Sequence, residues 1–365
     1  MKKINQKKST IFFLFPFLFV LTFLISNSVL INRTKPIGQK EKIYAADKAN
    51  SEGNNDNLNQ FLIDEIIETK LFSNNNLKTE KQITLLVTGD VNLGRSVNLK
   101  MINATGSAYP FTKTSQFIKK ADISLINLET PLKNKCPPSD TGMVFCSEDD
   151  NALSLLSTGI DIASLGNNHS QDQGKDGLTQ TKLALIKNGI QPLNNGASIT
   201  YKLKGKTLVF LTYDLVWHKF DLNEMKRSII EAKNRSDLVI PFFHWGSEYT
   251  ADPSKLQKEV AHAAIDSGAD LILGNHPHWV QAFEIYHAKL IVYSHGNFVF
   301  DQMWSKETRE GMFGLYTFSN NKLVEAKFTP IWIADNYQPE LADQKTSEKI
   351  MGRIKAASSL INKKN

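Results

Sequence analysis

Six short apolar runs limit the folds open to this chain. ITLLVTG (83–89), DISLINL (122–128), IDIASLG (160–166), DLVIPFF (237–243), DLILG (270–274) and KLIVYS (289–294) are five to seven residues each. They are rich in β-branched residues and continuous rather than alternating, the pattern of strands covered on both faces. Helical patterns at 114–121, 148–157, 175–188, 224–234 and 254–267 fall between them. Strands interleaved with helices predict an α/β fold of layered sheets. Two pairs break the alternation and read as hairpins, 200–214 turning at Gly-Lys and 314–331 turning at Asn-Asn.

The functional signal lies at the carboxyl end of each run. The runs end in Gly89-Asp90-Val91-Asn92, Asn127-Leu128-Glu129, Gly166-Asn167-Asn168-His169, His244-Trp245-Gly246 with Glu248 close by, Gly274-Asn275-His276-Pro277-His278 and Ser294-His295-Gly296-Asn297. In an α/β sheet, ligands bind at the carboxyl ends of the strands. Six of the eight histidines lie between 244 and 295. Taken singly, each element has a plainer reading. A Gly-Asp after a strand is a turn or a helix cap, and a histidine at a strand end can be a satisfied core residue. Five such elements at successive strand ends point instead to one shared site. Imidazole, carboxylate and carboxamide together suit Mn, Fe or Zn. A pair of such ions activates water and stabilises a phosphoryl transition state. His276 and His278, on alternate residues, are expected to project to one side of an extended backbone.

Charge and cysteines place the domain. The chain has 365 residues and a net charge of +6, but residues 1–42 alone carry +7, leaving about −1 for the rest. The basic excess flanks an apolar run at 11–31, long enough for the roughly 20 residues a bilayer needs. We read it as a membrane-topology signal and not as a nucleic-acid footprint. Lys2, Lys3, Lys7 and Lys8 should stay cytoplasmic, so a basic tail (1–10) and a signal-anchor helix (11–31) are expected to leave the body outside the membrane. A cleaved signal peptide and a secreted product are the alternative. Residues 32–82 read as a polar linker with one amphipathic helix at 61–72, and 343–365 as a helical tail. Cys136 and Cys146 bracket CPPSDTGMVFC. A disulfide there would add about 3 kcal/mol in the chain-entropy model. A metal-binding pair is the alternative, though the usual two-residue spacing is absent.

The ordered motifs VTGDVNLGR (87–95), INLETPL (126–132), LGNNHSQDQGKDGLTQT (165–181), FFHWGSEY (242–249), GNHPHWVQ (274–281), YSHGNFVFDQ (293–302) and PIWIADNYQPELA (330–342) resemble those of the CapA family. These are poly-γ-glutamate capsule-biosynthesis proteins, similar to the calcineurin-like metallophosphoesterases. The resemblance covers about 83–342 and implies a four-layer sandwich, two mixed β-sheets flanked by helices, with two divalent metal ions at the strand ends. It implies that one ion takes Asp90, Glu129 and His278, with Asn92, and that the second takes Glu129, Asn168, His244 and His276, Glu129 bridging. His169, positioned by Asp172, would act as a general acid or stabilise the developing charge. Asn92 stands where the superfamily has a histidine, and Leu128-Glu129 stands where it has Gly-Asp.

Arg95 beside the first motif is a candidate for gripping an anionic substrate, against the plainer reading of an ion pair, and Asn297 is a second substrate-contact candidate. Trp245, Trp279 and Trp304 read as core or pocket lining, His262 as structural, and His295 as a weaker ligand candidate. The expected role is in synthesis, export or processing of poly-γ-glutamate or a related anionic envelope polymer, beside other capsule-synthesis subunits. A secreted phosphoesterase and a non-catalytic polymer-binding scaffold are the alternatives.

Overall fold

Both faces of the buried strands are covered in the computed structural model, which describes residues 59, 63–65, 81–103, 108–335 and 337–362. The expected basic tail and anchor segment lie outside the described residues, as does most of the linker. Among the described residues, no helix is long and apolar enough to cross a membrane.

The first sheet contains β1 (Ile83–Val91), β2 (Ile123–Leu128), β3 (Ile162–Leu165), β4 (Gln191–Asn194), β11 (Asn297–Val299), β12 (Glu310–Ser319), β13 (Lys322–Ile333) and β14 (Pro339–Leu341). Its order is β14-β13-β12-β1-β2-β3-β4, with β11 against the end of β1. The second contains β5 (Ser198–Leu203), β6 (Lys206–Asp214), β7 (Leu238–His244), β8 (Ile272–Asn275), β9 (Phe283–Tyr286) and β10 (Lys289–Val292), in the order β5-β6-β7-β8-β10-β9. Each sheet is mixed. In the first, β1 to β4 are parallel and β12 to β14 antiparallel. In the second, β6, β7, β8 and β10 are parallel and flanked by antiparallel β5 and β9.

Strand alternation builds the layers. Leu85, Val87, Leu125 and Ile162 of the first sheet meet Leu208, Phe210, Ile240 and Phe242 of the second in one apolar cluster. Their sequence neighbours Leu86, Ile126 and Ala163 face the other way and pack with Val97, Met101, Leu155 and Leu185. These come from helices α1 (Arg95–Asn103), α3 (Ala152–Thr158) and α4 (Gly174–Lys187), α2 being Ser115–Ile118. Beyond the second sheet, Val209 and Val239 pack with Met225 and Ile229 of α5 (Leu222–Lys233) and with Val260 and Ala264 of α6 (Lys255–Asp266). Each such fully buried aliphatic side chain contributes about 1.5–3 kcal/mol.

The helices start where the sequence offers caps. Asp221 accepts from the Asn223 and Glu224 N–H groups, and Ser254 forms a reciprocal capping box with Gln257. After the short α7 (Lys306–Arg309), the region read as a tail contains α8 (Gln344–Asn362) and is part of the domain. Ile350 and Ile354 join the inter-sheet cluster. Ser358 and Asn362 accept from the Phe283 and Ile285 N–H groups at 2.8 and 3.0 Å. The helix thereby covers the otherwise open edge of β9.

Both expected hairpins form. The first turns at Lys204-Gly205, one residue before the expected Gly-Lys, and the second at Asn320-Asn321, all four with positive φ. Helix α1 and strands β4, β9, β11 and β14, short or peripheral elements, were not legible in the pattern. At the centre, β1 changes partner. It pairs with β12 up to Thr88, then places Asp90 opposite Asn297 of β11. The Asp90 N–H donates to Gly296 O at 2.9 Å. A Cβ on Gly89 would stand 2.1 Å from that same oxygen, so only glycine lets the strand pass and present Asp90.

Candidate metal centre

The ends of β1, β2 and β3 from the first sheet, and of β7 and β8 from the second, converge. Asp90, Glu129, His244, His276 and His278 are all buried. Among the described His, Cys, Asp and Glu residues, two groups bring three ligand atoms within 4.8 Å of one another: Asp90, Glu129 and His278, and Glu248, His276 and His278.

Asp90 and Glu129 are adjacent buried carboxylates. Burial opposes the charge on Asp90, but the hydrogen bond and charge of His278, with hydrogen bonds involving Glu129 and Asn127, outweigh it and hold its pKa below the ordinary value. Glu129 goes the other way. Burial first, then the charge of Asp90, push its pKa well above the usual carboxylate range. Two carboxylates in one dry site cannot both ionise cheaply. Glu129 Oε2 is buried with no hydrogen-bond partner, as is Nδ1 of His276. These orphaned lone pairs, in a set of carboxylates and imidazoles, are what a divalent cation would satisfy.

His244 and His276 are held toward the neutral form. Burial, then the neighbouring histidines, hold His244 well below its ordinary value. Burial and His278 lower His276 to about 3. Nε2 of His244 lies 2.8 Å from Asn168 Oδ1. Its ring centroid is 4.6 Å from that of His276. The backbone at the His-Pro-His turn differs from the expected extended form. His276 and His278 have φ of 99° and 58°, and their rings lie 5.8 Å apart. Non-glycine residues in the left-handed region are strained and cluster at functional sites. Here the turn, rather than alternation along a strand, brings both rings into the pocket.

His169 is clamped from two sides. Its Nδ1 lies 2.9 Å from Asp172 Oδ2. The Phe145 ring lies 4.1 Å from its own. Asp172 also accepts from the Phe145 N–H at 2.6 Å. Phe145 is next to Cys146, which is disulfide-bonded to Cys136.

Three expected contacts have other partners. The Arg95 guanidinium, expected to meet an anionic substrate, is buried in an ion pair with Asp301 and lies over the Phe145 ring at 4.8 Å. Asn297, the second substrate candidate, is buried and orients His278. Its Oδ1 is 3.0 Å from His278 Nδ1, and its Nδ2 donates to Gln302 Oε1 and Thr308 O. The Asn92 oxygen, expected to coordinate metal, accepts from the Gly94 N–H and the Thr130 hydroxyl and so braces its own loop. Trp245 is core, stacked on Phe243 at 4.5 Å, Trp279 is half-buried, and Trp304 is exposed. His295 bonds Gly274 O and the Tyr316 hydroxyl, and His262 bonds Glu284.

Sequence reasoning missed two residues. Nδ2 of Asn127 lies 2.8 Å from Asp90 Oδ1, 2.8 Å from Glu129 Oε1 and 3.0 Å from His244 Nδ1. It joins the two carboxylates to the opposite sheet. Its signal was its place two residues before Glu129, on the same face of β2. Glu248, noted only as lying near a strand end, is the other.

Residues 84–302 match the family described as bacterial capsule synthesis protein PGA_cap. The capsule biosynthesis protein CapA of Bacillus anthracis is 27% identical over 288 residues, 71% of this chain and 69% of that one. The PGA biosynthesis protein CapA of Bacillus subtilis is 28% identical over 266 residues, 67% of this chain and 70% of that one. Among solved structures, a phosphatase described as novel, from Mycoplasma pneumoniae, aligns with a TM-score of 0.47 at 13% identity, over 73% of this chain and 96% of that one. With its family model matched over most of the domain and its relatives aligned across two thirds of their own length, the chain belongs to the bacterial capsule synthesis protein family PGA_cap.

Proposed function

We propose that this chain acts in the synthesis, export or processing of poly-γ-glutamate or a related anionic envelope polymer, through a cation-binding pocket at the ends of its two sheets. The observation that carries this is the burial of Asp90 and Glu129 beside His276 and His278, with lone pairs on Glu129 and His276 left unpaired. Printed names of the relatives, which speak of capsule and PGA biosynthesis, supply the polymer class. The layering of helix, sheet, sheet and helix supports the metallophosphoesterase-like sandwich.

Asp90, Glu129 and His278 are the residues to hold one ion, and Glu129, Asn168, His244 and His276 a second. Such ions supply Lewis-acid polarisation of a substrate oxygen. The chain's own residues do the rest. Asp172 and Phe145 fix the His169 ring. With Nδ1 held, Nε2 is the nitrogen that exchanges a proton with bound substrate. Asn127 holds both carboxylates in register with His244. Residues 11–31 would anchor the protein in the cell membrane with this domain outside.

Metal analysis of full-length protein purified in Mn2+ is the direct test. About two ions per chain are expected. Protein that retains none, and takes up none of Mn2+, Zn2+ or Fe2+ on dialysis, would defeat the reading.

A further inference from the structure

We propose that Glu248 is a cation ligand, joining His278 at the first ion and closing the open side of the pocket beside His276. This rests on the reading that the pocket holds divalent cations, and it assigns a residue that the motif pattern left without a role.

The His278 ring sets the geometry. Its Nδ1 lies 3.0 Å from Asp90 Oδ2 and 3.0 Å from Asn297 Oδ1. Asn297 uses its nitrogen to donate to Gln302 and Thr308, so it presents oxygen to the ring. Two acceptors at Nδ1 occupy that nitrogen and leave Nε2 as the one open to the pocket. Nε2 lies 3.9 Å from Glu248 Oε1. The distance is too long for a hydrogen bond. Donor atoms around a tetrahedral ion bound at about 2.1 Å stand roughly 3.4 Å apart. The spacing is therefore close to that of two ligands with a cation between them. His276, a ligand of the second ion in that reading, borders the same space: all three ligand atoms lie within 4.8 Å, and its Nδ1 is buried without a hydrogen-bond partner.

The backbone holds Glu248 at this place. Gly246 has φ 89°, and a Cβ there would lie 2.6 Å from Gln257 Oε1. Tyr249 has φ 60°, and its N–H donates to Pro277 O at 2.9 Å. The loop after β7 is thereby tied to the His-Pro-His turn. The Glu248 side chain is 31% exposed whereas that of His278 is 2% exposed. Glu248 is thus the carboxylate at the mouth of the pocket, facing an incoming substrate. Imidazole and carboxylate ligands together suit Zn, Mn or Fe.

Full-length wild type and Glu248→Gln, each stripped with chelator, would be titrated with Mn2+ by calorimetry and electron paramagnetic resonance. We expect the variant to bind one ion at least ~100-fold more weakly, the loss that even an outer hydrogen-bond partner of a metal ligand can cause. The resonance spectrum of bound Mn2+ should also change. The circular dichroism and the melting of the chelated protein should not. Unchanged Mn2+ number and affinity would overturn the assignment. Weaker binding with an unchanged spectrum would also overturn it, because the carboxylate would then act only by its charge at a distance. A wild type that binds none of Mn2+, Zn2+ or Fe2+ overturns the pocket itself, which separates the two failures.

Discussion

The first sheet brings oxygen to the pocket, and the second brings nitrogen together with the Glu248 carboxylate at its mouth. Asp90, Glu129 and Asn168 stand at the ends of β1, β2 and β3, while His244 and His276 stand at the ends of β7 and β8. The two sides fail in opposite ways when alone. Buried side by side, the carboxylates oppose each other's charge, and burial and Asp90 push the Glu129 pKa well up. The imidazoles, buried together, shed theirs. Each side is therefore a poor ion on its own and a good ligand set for a cation placed between them. The site is a property of the sheet-to-sheet contact and not of either sheet.

Removing the shared oxygen ligand should break this arrangement most severely. Glu129→Ala is expected to abolish binding of both ions, checked by metal content after dialysis into Mn2+. Next comes a residue on the oxygen side that is not a ligand. His169→Ala should keep its metal and lower polymer output in cells by about 100-fold or more, the scale of a lost general acid. Metal loss in that variant would place His169 among the ligands instead.

Asn297→Ala should loosen His278 without removing it, weakening Mn2+ affinity by about 10-fold to 100-fold in a calorimetric titration. A variant with unaltered affinity would show that Asp90 alone orients the ring.

The smallest effect is on stability, measured as melting temperature against pH in chelator. Glu129 has a folded pKa above its unfolded value, so the native state keeps a proton that the unfolded chain releases. Stability then falls as pH rises from the ordinary carboxylate range toward the raised value. His276 has the reverse sign. At about 3 when folded against 6.5 when unfolded, it loses its contribution as pH falls from 6.5 toward 3. Glu129→Gln should therefore remove the loss of stability with rising pH and His276→Asn the loss with falling pH below 6.5, at about 2–4 °C for each kcal/mol. Profiles that shift together would contradict the two-sided picture.

Legibility in the sequence followed burial. Residues 83–89 and 237–243 were readable as strands because both faces are covered, which makes the run continuous. Strand β9 was not, because its edge is completed by Ser358 and Asn362 from a helix about 75 residues away in sequence. Asp90, Glu129, His244, His276 and His278 were legible as a set because each follows a strand. The partners of Arg95 and Asn297 were not. Arg95 reads as a substrate grip until Asp301, 206 residues on, is seen to take its charge.

The layered α/β architecture, the identity of the polar residues at the strand ends and the family to which they belong were all written in the chain, because periodicity and strand punctuation are local properties. Long-range packing settled which ring nitrogen faces which oxygen, that Asn127 links the two sheets, and that Glu248 rather than Asn92 stands at the open side. Those choices depend on positive-φ turns and on contacts between residues far apart in the chain, whose geometry exists only once the two sheets have closed on each other.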